Sequence, residues 1–371
     1  SPGAAMRGGQ TAARGRGANR SVAWLGALAC SAGAFTAVLF LLVLELVAGF
    51  AISPLRAALG VTVLPVAAVA AALVPGARKP RALAGALLIA GGATALAFLP
   101  AATIAWTLVP QILAGAGIGL ALPAFTDERT TREAATHLVA RHAGIVVVLA
   151  ILAPVATAQL NTNTEQAILQ GTALVLDAQI DPLQKLKLAP QLLDGVDVEN
   201  PRAALTEAVE RRRAEFSDNA VVYDRLAHRL DDVVVVAITD AFRPAYLIAA
   251  ALALLAAACL IPAVRAPAVA AAAAAAVAVG ALYVAQHARE APEPVALTNP
   301  CDPRPLPGSG GLTGLLQDEA LKLLDRAACQ AGAPREALAL ALFDEHRAKQ
   351  FQRQYGVDPR SVAGLLSLLG G

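Results

Sequence analysis

The chain has 371 residues, of which 57% are hydrophobic, only 16% charged and 4% aromatic, with a formal net charge of +2. A soluble domain carries about 25% charged residues, so this deficit and a mean hydropathy of +0.57 point to a bilayer. The small net charge and the scarcity of aromatics argue against a nucleic-acid surface, which needs basic patches and stacking platforms.

Residues 1–21 are rich in Gly, Arg and Ala and have no apolar core, so they read as a basic cytoplasmic tail or linker, not a signal peptide. The chain begins at Ser1 and its one methionine is Met6; it is expected to be a piece of a longer protein. Its Ala-rich, Lys-poor usage points to a high-GC bacterial genome.

A spanning helix needs about 20 mostly apolar residues. Seven segments qualify: 22–47, 55–76, 82–100, 103–124, 141–160, 242–262 and 267–286, the third short and the last very Ala-rich. The expected fold is therefore an all-α polytopic membrane protein of about seven transmembrane helices. A five-helix bundle covers 22–160 and two more helices cover 242–286.

Orientation follows from basic residues in short loops. Arg7, Arg14, Arg16 and Arg20 precede the first span; Arg78, Lys79 and Arg81 follow the second; Arg129, Arg132 and Arg141 follow the fourth; Arg265 follows the sixth. With seven spans these fall on one side. The expectation is a bacterial cytoplasmic membrane, with the N-terminus inside and the C-terminus outside.

Two longer segments are then extracytoplasmic. In 161–241, Asp181-Pro182 and Asn200-Pro201 look like helix starts, an N-cap acceptor followed by a Pro that needs no donor. Leu205, Val209, Phe216, Val222, Leu226 and Leu230 recur near helical spacing. Three or four amphipathic helices are expected, the last running into the sixth span. In 287–371 a Pro/Gly-rich linker (291–311) precedes helices near 312–331, 334–354 and 359–369, with Gly332 and Gly356 as C′ residues.

Four cysteines are present. Cys30 and Cys259 sit in apolar runs, where cysteine behaves as a small hydrophobe. Cys301 and Cys329 flank the first helix of the C-terminal region; in an oxidising compartment a disulfide would tie linker to helix. With an inverted topology they would be free thiols. No metal spacing is present among Cys and His.

Four stretches carry a family resemblance. Gly49-Phe-Ala-Ile-Ser-Pro-Leu-Arg-Ala-Ala-Leu59 reads like G-[YF]-S-P-L-x-A-G-L with two extra residues. Leu64-Pro65 follows it. Gln111-Ile-Leu-Ala-Gly-Ala-Gly-Ile-Gly-Leu-Ala-Leu-Pro-Ala124 is a Gly-spaced helix, and Arg141-His-Ala-Gly144 matches R-x-x-G at a helix start. In order and spacing they resemble the C-terminal half of major facilitator superfamily transporters, in the 14-helix drug-efflux-like branch, over about 22–160. The resemblance does not cover 161–241 or the C-terminal region. It implies a missing N-terminal half as a partner, a small-molecule substrate and export. The loop Gly76-Ala-Arg-Lys-Pro80 keeps only the Gly and the basic charge of the family's loop signature.

Glu45 is the one carboxylate well inside an expected span, and a charge in hydrocarbon is a functional candidate by default. It faces a cavity and carries a proton, or it touches water at the outer end of its helix. Gln111, after Pro110, bonds a substrate or satisfies carbonyls that Pro110 frees. Trp106 lines a cavity or belongs to the interfacial aromatic belt. Gly115, Gly117 and Gly119 permit close helix contacts, with Gly115 and Gly119 forming a small-xxx-small face. Pro65, Pro110 and Pro154 allow bends. Arg141 and Asp127 form a cytoplasmic gate, or Arg141 is an ordinary positive-inside anchor. Neither a nucleophile–base pair nor a phosphate-cradling loop stands out, so an enzyme is not expected, and no cofactor is implied.

The expected function is secondary active transport, proton-coupled export of small amphipathic molecules. The competing reading is a non-transporting membrane scaffold that displays extracytoplasmic helical domains to envelope partners.

Overall fold

The structure, a computed structural model, describes residues 3–126, 130–180, 185, 200–261, 267–307, 311–361 and 364. All regular structure among them is helical. In chain order the helices are α1 (Gly3–Leu44), α2 (Pro54–Val61), α3 (Val63–Ala72), α4 (Arg78–Ala97), α5 (Ile104–Phe125), α6 (Thr131–Asp177), α7 (Pro201–Arg212), α8 (Ala220–Leu260), α9 (Pro267–Glu290), α10 (Gly311–Ala331), α11 (Arg335–Phe343) and α12 (Glu345–Tyr355). Among the described residues seven helical stretches are long and apolar enough to cross a membrane, each overlapping one expected span. Val66, Val69, Val146, Val147 and Val277 on these stretches stand outward and exposed, a surface whose matching solvent is hydrocarbon.

Two compact units form, one from Ser1–Leu160 with Thr239–Ala291, the other from Asn161–Ile238 with Pro292–Gly371. The expected span 141–160 is the middle of a 47-residue helix, α6, that continues without a break to Asp177. Asn161-Thr-Asn-Thr164 reads as a loop by composition. It is helical in the structure, and on either side the Thr157 and Thr172 hydroxyls donate back to Ala153 O and Ile168 O of the same helix.

In the first unit, helices approach through glycines. A Cβ on Gly115 or Gly119 would collide with the Leu64 and Ala68 carbonyls of α3. Gly117 instead faces α4, where its counterpart is Gly85. One helix thus presents two small faces, i and i+4 to α3, i+2 to α4. Gly144 on α6 sits against the Ala29 carbonyl of α1. Without a hydrophobic driving force between spans, such backbone proximity is what dispersion can use. Gly119→Val is therefore expected to force α3 from α5 at a cost of about 1–3 kcal/mol. The thermal midpoint in detergent should fall, whereas Gly26→Ala, where a Cβ meets nothing within 4 Å, should leave it unchanged.

The prolines act differently from one another. The second span breaks at Thr62, three residues before Pro65, and resumes as α3 with the Thr62 hydroxyl bonded to Leu59 O at 2.5 Å. Pro110 and Pro154 lie inside helices that continue through them.

In the second unit, Leu174, Val175, Phe216, Tyr223, Leu226, Leu230 and Val233 form one apolar core, with Leu205, Val209 and Val222 packed against it. Phe216 and Tyr223 stack at 4.5 Å, and the Tyr223 hydroxyl donates to Val209 O at 2.8 Å. Pro201 opens α7 as expected for a Pro at N1, but the Asn200 side chain makes no capping bond. The other expected start, Asp181-Pro182, lies outside the described residues. Glu210–Glu215 pairs with its own neighbourhood, Arg212 to Glu215 at 2.6 Å and Arg213 to Asp224 at 3.1 Å.

A second core joins α10, α11 and α12 through Ala327, Ala328, Leu338, Ala341, Ala348 and Phe351. The expected helix 334–354 is two helices. Asp344 leaves the helical region at φ −117° and ψ 129° and its carboxylate caps Arg347 N at 2.7 Å, starting α12. Asp outcompetes the backbone ladder in this way at helix starts. Gly332 and Gly356 both take positive φ, 63° and 78°. The expected helix 359–369 lies mostly outside the described residues. A disulfide joins Cys301 to Cys329, with the Cα atoms 4.9 Å apart.

Buried charges knit the second unit together. Arg335 is fully buried and reaches Asp177 at 2.8 Å, Glu336 at 3.2 Å and Asp325 at 3.7 Å. Arg304 meets Glu336 at 3.3 Å. Lys185 donates to Leu176 O at 2.7 Å, and burial lowers its pKa from the ordinary 10.5 to about 8, partly offset by Asp177. Between those values the unfolded chain binds the proton and the folded chain does not, so stability rises with pH across that window. Calorimetry should show the wild-type midpoint gaining on that of Lys185→Met from pH 8 to 10, and a constant difference below pH 7.

Candidate functional site

The first span ends in a π-helical turn, Glu45–Gly49, closed by Phe50 N to Glu45 O at 2.7 Å. Such turns change which side chains face inward and recur at functional sites. Two residues on, Ala51 takes φ 56°, unusual for a residue with a Cβ. Ala51 and Ile52 are the two residues by which this stretch departs from the pattern it resembles, and one of them carries the irregular backbone.

Glu45 is 1% exposed, which removes the reading in which it touches water at the helix end. Its one carboxylate partner among the described residues is the hydroxyl of fully buried Tyr246, which donates to Oε2 at 2.7 Å from α8. The first and sixth spans therefore meet at a buried polar pair, with no ion pair to the carboxyl group among the described residues. A carboxyl group in such a place can bind and release a proton without first breaking an ion pair.

Asp240, Arg243 and Tyr246 recur every third residue, so Arg243 neighbours each of the other two on α8, about 4.5 Å away along the axis. Arg243 pairs with Asp240 at 2.8 Å, donates to Ala97 O at 3.3 Å, and lies 5.3 Å over the Phe98 ring. It also meets His287 Nε2 of α9 at 2.8 Å, while His287 Nδ1 lies 2.9 Å from Leu99 O. Arginine only donates, so Nε2 must accept and Nδ1 must carry the hydrogen. This clamp holds α4, α8 and α9 in the neutral tautomer of His287. Sequence reading passed over it: the three groups are 146 and 44 residues apart, and only the three-residue spacing 240/243/246 signals them.

Pro110 has no N–H for the carbonyl four residues back, that of Trp106. The Tyr283 hydroxyl from α9 takes that carbonyl at 2.6 Å, and the two rings meet edge-on at 5.7 Å. Gln111 therefore does not serve the carbonyl freed by Pro110. It donates to Thr107 Oγ1 at 2.9 Å, fully buried, and its Oε1 has no partner among the described residues.

A cavity of about 510 Å³ opens between α1, α2, α3, α5 and α6. Its wall includes Leu28, Phe35, Leu39, Val69, Ile118 and Phe125, and also Ser31, Thr36, Thr62 and Arg141. Trp106 and Gln111, each read as a cavity residue or a structural one, do not line it; Trp106 meets Tyr283 of α9, and Gln111 bonds within its own helix. Pro65 lines it, Pro154 is exposed on α6, and Arg141 is its one charged lining residue. Asp127, the expected gate partner of Arg141, lies outside the described residues.

No protein-family model matches the chain, nor does any curated protein or solved structure. Among the described residues no group of three or more His, Cys, Asp or Glu could hold a metal ion.

Proposed function

We propose that the chain is the membrane part of a secondary active transporter that exports small amphipathic molecules, driven by protons that bind at Glu45. The observation that carries this reading is the Glu45–Tyr246 pair, a carboxyl group 1% exposed on one span and bonded, among the described residues, to a phenol on another. Intramembrane carboxyl groups are costly and serve ion pathways. Glycine-lined contacts at Gly115, Gly119 and Gly144 let spans slide with small barriers, and the apolar cavity has a volume within the ordinary range for a small-molecule site.

The resemblance to major facilitator halves supports export and implies that a further bundle of spans completes the path. The bacterial cytoplasmic membrane, with the second unit outside, is part of the proposal; the Cys301–Cys329 disulfide supports that side, because disulfides persist in oxidising compartments. The second reading, a scaffold that displays external helices to envelope partners, draws on the second unit having cores and a disulfide of its own. Proteoliposomes with the full-length protein separate the two. A transporter moves amphipathic fluorophores when a pH gradient is imposed and stops when a protonophore collapses it; a scaffold moves none in either state.

A further inference from the structure

We infer that the cavity between α1, α3, α5 and α6 binds a single-chain amphiphile with an anionic head, the head held by Arg141 and the chain laid along α1. Among the described residues Arg141 is the one charged group on the cavity wall, which is otherwise apolar apart from three hydroxyls. A lone guanidinium beside apolar surface matches a carboxylate or sulfate, which it can meet with two parallel N–H donors.

Ser31 is the second, independent observation. It lines the cavity, is 1% exposed, and its Oγ has no hydrogen-bond partner among the described residues. A helical serine can bond the carbonyl four residues back, yet this hydroxyl does not. A buried hydroxyl left unpaired is unfavourable, so a ligand oxygen beside it removes a standing penalty.

The two groups lie at the same end of the cavity. Gly144 on α6 packs against Ala29 and Gly33 of α1, and Val148 packs near Gly33, so the two helices advance together. Ser31 is thus level with about Gly144, and Arg141 sits three residues, about 4.5 Å, nearer the helix start. An arginine side chain spans that offset. Beyond Ser31 the wall runs on through Phe35 to Leu39, so the α1 face from Leu28 to Leu39 is about 16 Å long. That length and a volume of about 510 Å³ suit one alkyl chain of about a dozen carbons rather than a two-chain lipid.

As a statement about the exported substrate this rests on the transport reading; as a statement about binding it does not. The test is equilibrium binding of radiolabelled dodecanoate to full-length protein in phosphatidylcholine nanodiscs, counted above empty discs. Saturable binding of one molecule per chain is expected, with dodecyltrimethylammonium failing to compete. Arg141→Gln should weaken it about tenfold, Arg141→Lys less, and Ser31→Ala about threefold. Equal competition by the cationic amphiphile, displacement by phosphatidylglycerol, or unchanged affinity in a folded Arg141→Gln protein would overturn the inference. Arg141-dependent binding without any flux would sink the transport reading alone.

Discussion

Replacing Arg335 by methionine is expected to destabilise the second unit by about 3–5 kcal/mol, the cost of leaving a buried carboxylate without its cation. Arg335 and Glu336 are both fully buried, and Arg335 is the group that brings Asp177 at the end of α6 together with Asp325 of α10. Without it, Glu336 keeps only Arg304, at 3.3 Å. The loss concentrates where the segments from 161–238 and 292–371 meet, so hydrogen exchange should rise in both residues 165–177 and α10–α11. Removing charge on both sides is milder, since an apolar replacement leaves no orphan. Arg335→Met with Glu336→Leu should recover most of the midpoint. A single variant that loses less than about 1 kcal/mol would show that water reaches the cluster.

Glu45→Gln in the full-length protein is expected to reduce proton-driven flux to the level of empty liposomes while expression and thermal midpoint stay near wild type. Gln keeps the shape and can still accept from the Tyr246 hydroxyl 2.7 Å away, but it cannot gain or lose a proton. Tyr246→Phe tests the partner. The carboxyl group survives, so flux should remain proton-dependent and fall about tenfold, in line with about 1–3 kcal/mol for a buried bond left unmade. Normal flux in Glu45→Gln would remove the residue from the mechanism, whatever the stability of the protein.

What the sequence disclosed depended on range. Long apolar runs fixed by the bilayer thickness located all seven candidate spans, and the Gly115/Gly117/Gly119 spacing marked a close-packed helix. Which neighbour each glycine meets was not legible, because it depends on helix rotation. Helix ends failed where polar residues stayed helical, as at Asn161–Thr164, or where one Asp ended a helix, as at Asp344. At the site, Glu45 was visible as an intramembrane carboxylate, but Tyr246, 201 residues away, was not. Nor was the tautomer-fixing clamp of Arg243 and His287, or the use of Tyr283 to satisfy the carbonyl that Pro110 frees. Each of these is a long-range pair of ordinary residues with no local signature. Whether Trp106 and Gln111 meet a cavity was left open by the sequence, since it depends on helix rotation; the α5 residues that line this cavity are Ile118, Leu122 and Phe125.

The central claim is that movement of an amphiphile and movement of a proton are one event that passes through Glu45. The most direct measurement is the internal pH of proteoliposomes, read with a trapped dye, after an amphipathic substrate is added outside without an imposed gradient. The account predicts a pH change that scales with substrate, saturates, and is absent in Glu45→Gln. An unchanged internal pH in the wild type while substrate crosses the membrane, or an equal change in Glu45→Gln, would contradict it.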